Sequence, residues 1–212
     1  MVALMTQKEL SKPARIDYGV AARTLAGQPC SGDACFVNEA EEQTILAVID
    51  GLGHGPPAAD AAATAVAELQ SNPDLPLVRL IERCHRALLH QRGVAMTLVS
   101  IPSTGNVLNW VGVGNVWGGL FVAAGSQQRW RSLLPQMGIV GHRLPRLRVG
   151  QAELTPGDWL VVATDGVSID FDGGIAMKGP PREVATGLLT RHFKGNDDAL
   201  VLAARYPGEA DE

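Results

Sequence analysis

Four short segments of this chain place a carboxylate at or beside the end of an apolar run: Gly32-Asp33, Asp50-Gly51-Leu52-Gly53-His54-Gly55, Asp165-Gly166 and Asp197-Asp198. A lone Asp-Gly is an ordinary turn. Four such stations at strand ends suggest carboxylates gathered by a sheet into one acidic cluster, and such clusters hold hard divalent cations through oxygen. Aspartate presents that oxygen on the shortest side chain. Asp50 closes an unbroken apolar run, so its base is rigid enough for accurate placement. Gly51 has no Cβ, which lets the backbone turn a carbonyl toward the same ion. Gly53 and Gly55 keep the loop narrow enough for a phosphate to approach, and the N-terminus of the helix that follows favours an anion nearby.

No matching set of His or Cys ligands accompanies the carboxylates, which favours Mg²⁺ or Mn²⁺ over Zn²⁺. Two such ions roughly 3.5–4 Å apart can share a water and lower its pKa toward neutrality. That arrangement makes a nucleophile without Ser, Cys or His, and phosphoester hydrolysis is the reaction it serves best. The haloacid dehalogenase type of phosphatase needs a nucleophilic Asp two residues before a second Asp. Val48 occupies that position relative to Asp50, so this reading is set aside.

The elements that must position these residues follow from composition and pattern. The chain has 212 residues, 46% hydrophobic and 19% charged, enough for a sizeable core in one domain spanning 1–212, with its core at about 16–205. A net charge of -4 provides neither a basic stripe for nucleic acid nor a polybasic membrane patch. Three cysteines, none in a Cys-x-x-Cys, read as reduced thiols of a cytoplasmic protein. The first 15 residues mix charged and small side chains and do not read as a secretion signal. Residues 107–125 are apolar enough to suggest a membrane helix, but their glycines and Asn109 and Asn115 favour two buried strands, 107–113 and 116–123, joined by a Gly-Asn turn.

Strands are expected at 16–23, 34–38 and 44–49, the last buried on both faces. Pro56-Pro57 opens an alanine-rich helix to about 69, and a second helix covers 77–88. Further strands follow at 94–101, 129–134, 146–154 and 159–164. A last helix runs from Pro180-Pro181 to about 192 before a closing strand at 199–206, and the tail from 207 is expected to fray. This order lacks the regular βα alternation of a doubly wound sheet. It predicts an α+β fold, two mainly antiparallel sheets stacked face to face with helices outside.

With these pieces in this order, ending in Thr164-Asp165-Gly166 after the Pro156-Gly157-Asp158 turn and in Asp197-Asp198, the chain resembles the metal-dependent PPM (PP2C-like) protein phosphatases, and most closely their SpoIIE branch. The resemblance spans about 16–205. It implies the αββα sandwich and a two-metal site for Mn²⁺ or Mg²⁺. Asp50 would bridge both ions, Gly51 would add its carbonyl, Asp165 and Asp197 would complete one shell, and Asp33 would serve the second ion. Asp198 stands where the classical members have Asn and ranks below Asp197 as a ligand. His54 would orient phosphate or protonate the leaving oxygen, which makes Asp50, Asp165 and His54 the catalytic candidates. Three positions depart from the family pattern. Gln28 and Pro29 stand near the place of a phosphate-holding arginine, Leu200 replaces a usual Thr, and Gly112-Val113-Gly114-Asn115 replaces a Gly-His-Asn.

A bare catalytic domain of this size resembles the RsbX-type feedback phosphatases. That resemblance implies phosphoserine or phosphothreonine on STAS-domain stressosome proteins as substrate; a monomer is expected, and the charge balance points to neither nucleic acid nor membrane as partner. Two alternatives stay open: a catalytically silent PPM-like regulator that binds phosphoproteins, and a SpoIIE-type phosphatase acting on another phosphorylated anti-sigma-factor antagonist.

Overall fold

The computed structural model describes residues 16–122, 129–168 and 177–208. The N-terminal segment and the end of the tail lie outside the described residues. In chain order the strands and helices are β1 (Asp17–Arg23), β2 (Asp33–Glu39), β3 (Gln43–Gly51), α1 (Pro56–Gln70), α2 (Leu77–Ala87), β4 (Val94–Pro102), β5 (Val107–Val113), β6 (Trp117–Val122), β7 (Arg129–Ser132), β8 (Gly150–Glu153), β9 (Trp159–Ala163), α3 (Pro181–His192) and β10 (Ala199–Arg205).

These strands form two five-stranded sheets, ordered β1-β10-β9-β6-β7 and β2-β3-β4-β5-β8, with antiparallel neighbours throughout. The expected αββα sandwich results. Between the sheets lies one apolar layer, with Leu46, Val48 and Val99 from one side meeting Leu160, Val162, Leu200 and Leu202 from the other. A second layer packs α1 and α2 onto β2 to β5, and a third packs α3 onto β1, β9 and β10.

β3 shows why its sequence has no polar alternation. Leu46 and Val48 face the inter-sheet core, while Ile45, Ala47 and Ile49 lie under the helices. Both faces are buried, so both faces must be apolar. α1 begins at Pro56-Pro57, where proline's fixed φ suits the first turn and its missing N–H costs nothing. Its buried stripe is Ala58, Ala61, Ala62, Ala65 and Leu69, small side chains that let the helix lie close to β2 and β3.

Two connections differ from expectation. β5 and β6 are both buried strands, but they belong to different sheets, so residues 114–116 carry the chain across the sandwich. The strand expected over 146–154 shrinks to Gly150–Glu153, because only Val107 to Trp110 of β5 is open for it to pair. The other end of β5 is occupied by Gln136, whose N–H and C=O bond Gly112 and Gly114. Among the described residues no helix is long and apolar enough to cross a membrane.

Candidate active site

The sandwich brings one end of each sheet together, and the carboxylates collect there. Asp33 opens β2 and Asp50 lies near the end of β3, and the two are direct register partners. Asp50 is also opposite Ala95 in β4, so three strands fix its position. From the other sheet, Asp165 follows β9, and Asp197 and Asp198 precede β10.

A set of side-chain bonds ties the two sheets together at this point. Thr164 is fully buried. It donates its hydroxyl to Asp33 Oδ2 at 2.8 Å and accepts the Leu200 N–H at 2.8 Å, so one side chain links β2 to the β9–β10 pair. Asn115, in the crossing between the sheets, donates Nδ2–H to Asp165 Oδ2 at 2.6 Å. Lys194 donates from Nζ to the Asp165 carbonyl at 2.6 Å, and its own N–H bonds the Gly166 carbonyl at 2.9 Å. Gly166 is required at its position. A Cβ there would run into the Asp198 carbonyl, so only glycine lets the two acidic turns approach this closely.

Adjacent aspartates 197 and 198 have different surroundings. Asp198 is 3% exposed, and its Oδ1 and Oδ2 accept the N–H groups of Leu25 and Gly32, each at 2.7 Å. It therefore pins both ends of the loop that leads into Asp33. Asp197 is half-buried and accepts the Asp198 N–H at 2.8 Å through one oxygen.

The loop from Gly51 to Gly55 covers the site's edge. A Cβ on Gly51 would collide with the Ala58 carbonyl of α1, so glycine here permits the helix to pack directly against the end of β3. Gly53 and Gly55 have φ of +85° and +72°, a left-handed backbone suited to glycine. The Gln28 side chain sits beside Gly55 and the Arg92 guanidinium beside Gly53. His54 stands exposed between them. The N-terminus of α1 offers an anion less than the sequence suggests. Pro56 and Pro57 have no N–H, and those of Ala58 and Ala59 both point at the Gly55 carbonyl at 3.1 Å.

The electrostatics are those of a cluster short of positive charge. Burial, followed by Asp198, Asp197 and Asp165, pushes Asp33 from 3.8 up to about 7 against the opposing Thr164 hydrogen bond. Burial, followed by Asp33, Asp165 and Asp197, pushes Asp50 from 3.8 up to about 8 against a hydrogen bond from Asn115. Among the described residues no three His, Cys, Asp or Glu side chains are drawn close enough to make a finished metal cluster. The carboxylates stand near enough to repel one another without forming a closed shell. Their donor chemistry, all hard oxygen with no cation among the described residues compensating Asp33 or Asp50, fits a divalent ion of the Mg²⁺ or Mn²⁺ class.

Several contributors carry weak sequence signals. Asn115 reads as a turn residue, and nothing local shows that it meets Asp165, 50 positions away. Thr164 belongs to an Asp-Gly motif, but its two hydrogen bonds, given to Asp33 and accepted from Leu200, depend on the stacking of the sheets. Arg92 and Lys194 lie in connections without any motif.

Comparison with known proteins agrees with this geometry. Residues 40–207 match the family model described as Stage II sporulation protein E (SpoIIE). A relative from Bacillus subtilis (strain 168), "Phosphoserine phosphatase RsbX", is 24% identical over 174 residues, covering 82% of this chain and 86% of that protein. A solved chain from "The bacterial stressosome: a modular system that has been adapted to control secondary messenger signaling" is 29% identical, with a TM-score of 0.81 over 90% of this chain and 99% of its own. The structure of RsbX in complex with magnesium also superposes with a TM-score of 0.81, at 22% identity over 92% of this chain and 97% of its own, which establishes a shared fold.

Proposed function

This chain belongs to the SpoIIE family of PP2C-like phosphatases, and we propose that it is a metal-dependent protein serine/threonine phosphatase acting on phosphorylated STAS-domain proteins of a bacterial stressosome. The observation that carries the chemistry is the Asp33–Asp50 pair, with Asp165 and Asp197 close enough to raise the Asp50 pKa. The kinship with a phosphoserine phosphatase and with a stressosome chain carries the choice of substrate.

In this reading residues 16–205 form one phosphatase domain. Asp33, Asp50, the Gly51 carbonyl, Asp165 and Asp197 would hold the divalent ions, with Asp50 the carboxylate they would share. When bound, Mg²⁺ or Mn²⁺ supplies charge to the phosphoryl oxygens and acidifies water into a nucleophile. The remaining roles belong to the protein. Asn115 and Lys194 hold Asp165 in place from two directions, through its carboxylate and its carbonyl. Thr164 fixes the rotamer of Asp33. Asp198, with both oxygens committed to main-chain N–H groups, is assigned to anchoring the loop and not to binding metal. His54 is exposed at the rim, where it can give a proton to the departing serine or threonine oxygen. Stressosome substrates would place the protein in the cytoplasm, where it would act as a monomer.

A silent phosphoprotein-binding module is the second reading, favoured by the lack of a finished metal cluster among the described residues. Phosphate release from a phosphorylated STAS-domain protein separates the possibilities. Metal-dependent release is the expected result. Release from p-nitrophenyl phosphate alone would retain the chemistry and point to another phosphorylated antagonist. Tight binding of the phosphoprotein without any release would establish the silent module.

A further inference from the structure

A phosphate monoester brings negative charge to a site that already holds Asp33, Asp50, Asp165 and Asp197, so a cationic side chain of the protein would add to the hold that the metal provides. Lys194 is already committed through Nζ to the Asp165 carbonyl. The start of α1 presents no free N–H in its first turn, as described above. The Gln28 side chain presents a carbonyl oxygen toward Gly55, which repels an anion.

Arg92 meets the requirement. It lies in the connection between α2 and β4, and the next residue anchors it, since the Gly93 carbonyl accepts the Leu52 N–H at 3.0 Å. Its guanidinium donates from Nη1 to the Leu52 carbonyl at 3.1 Å. The same nitrogen fills the space a Cβ on Gly53 would occupy, so the guanidinium lies directly over the loop between Asp50 and His54. The hydrogen bond and the missing Cβ together seat this one nitrogen over Leu52 and Gly53, the residues that follow Asp50 and Gly51. The side chain is exposed, and among the described residues it joins neither ion pair, Arg79–Glu82 or Arg83–Glu68. Of its five N–H donors one is used here, and a planar fork suits two phosphate oxygens at once.

We propose that Arg92 is the phosphate-holding residue of this enzyme, clamping the phosphoryl group of the substrate beside the Asp50 loop. This rests on the phosphatase reading. The test uses Arg92→Gln, which keeps an N–H for the Leu52 carbonyl but loses the charge, and Arg92→Lys, which keeps the charge but loses the fork. With Mn²⁺ present, KM for p-nitrophenyl phosphate and the inhibition constant of inorganic phosphate should both rise about tenfold in Arg92→Gln, equivalent to about 1.4 kcal/mol. Arg92→Lys should fall between this variant and the wild type. The rise in melting temperature on adding Mn²⁺ should be the same in all three proteins. Unchanged KM and phosphate inhibition in Arg92→Gln would overturn the proposal, as would a lower kcat and a smaller Mn²⁺ response at constant KM, the signature of a mere loop brace. Should the wild type show no turnover, the phosphatase reading fails separately. Calorimetry of inorganic phosphate binding to the Mn²⁺-loaded proteins then decides on Arg92: weaker binding in Arg92→Gln supports it, and equal or absent binding in both overturns it.

Discussion

Asp33 and Asp50 are opposite one another in the β2–β3 ladder, so the register places two carboxylates side by side where the sheet ends. Like charges directly opposite destabilise an antiparallel pair. Here the repulsion is sharpened by burial and by Asp165 and Asp197, and the two groups respond by holding their protons to about pH 7 and about pH 8. A divalent ion would relieve this cost, which links metal binding to stability.

The link has a defined sign. A carboxylate with a raised folded pKa stays protonated in the native chain while its unfolded counterpart ionises near 3.8. Metal-free stability is therefore highest below pH 4 as far as these groups are concerned, and it is lost progressively as pH rises through about 7 and 8. Mn²⁺ must displace those protons, so its effect grows with pH. Thermal melts should show a metal-induced rise on the order of 5–10 °C at pH 8, given about 2–4 °C per kcal/mol in a domain of this size. At pH 5 the rise should nearly vanish. A rise independent of pH would show that these carboxylates do not receive the ion.

Asp50→Asn removes one member of the repelling pair and keeps its shape. Without metal, and at pH 8, this variant should melt several degrees above the wild type, because a neutral amide escapes the charge repulsion. Adding Mn²⁺ should then produce little further rise. Melting below the wild type would contradict the electrostatic account.

The two adjacent aspartates should respond in opposite ways. Asp198→Asn turns an amide NH₂ toward one of the two N–H groups that the carboxylate now accepts. Leaving a buried donor unpaired costs about 1–3 kcal/mol, so the melting temperature should fall by several degrees even without metal. Asp197→Asn should leave the metal-free melting temperature near that of the wild type and abolish the Mn²⁺ response. Paired melts with and without Mn²⁺ read both effects.

Gly51→Ala tests the close contact behind the site. The added methyl meets the Ala58 carbonyl, main chain that cannot swing aside. Overpacking of this kind costs about 1–3 kcal/mol and should lower the melting temperature while displacing the loop that carries the Gly51 carbonyl. A crystal structure of the variant should show α1 shifted away from β3.

How much of this was legible in the sequence follows from the range of each interaction. β3 and β9 announce themselves as continuous apolar runs because both of their faces are buried, and the acidic stations at their ends can be read for the same reason. The sheet switch between β5 and β6 could not be read, since a Gly-Asn turn looks alike whether it closes a hairpin or crosses a sandwich. Asn115 and Thr164 act on partners 50 and 131 positions away, through contacts created only by stacking the sheets. The different surroundings of Asp197 and Asp198 come from β1–β2 loop backbone reaching across to one of them and not the other. The blocked start of α1 was legible in Pro56-Pro57 itself, since proline brings no N–H to an anion.

The central claim is that this acidic cluster binds a divalent metal in order to hydrolyse phosphate esters. Phosphate release from p-nitrophenyl phosphate tests it most directly, measured for the wild type and Asp165→Asn over a Mn²⁺ titration from chelated to saturating. The wild type should be silent under chelator and rise with Mn²⁺, and the variant, folded and melting normally, should stay at the background rate. Wild-type turnover in Asp165→Asn, or activity unaffected by chelation, would contradict the account.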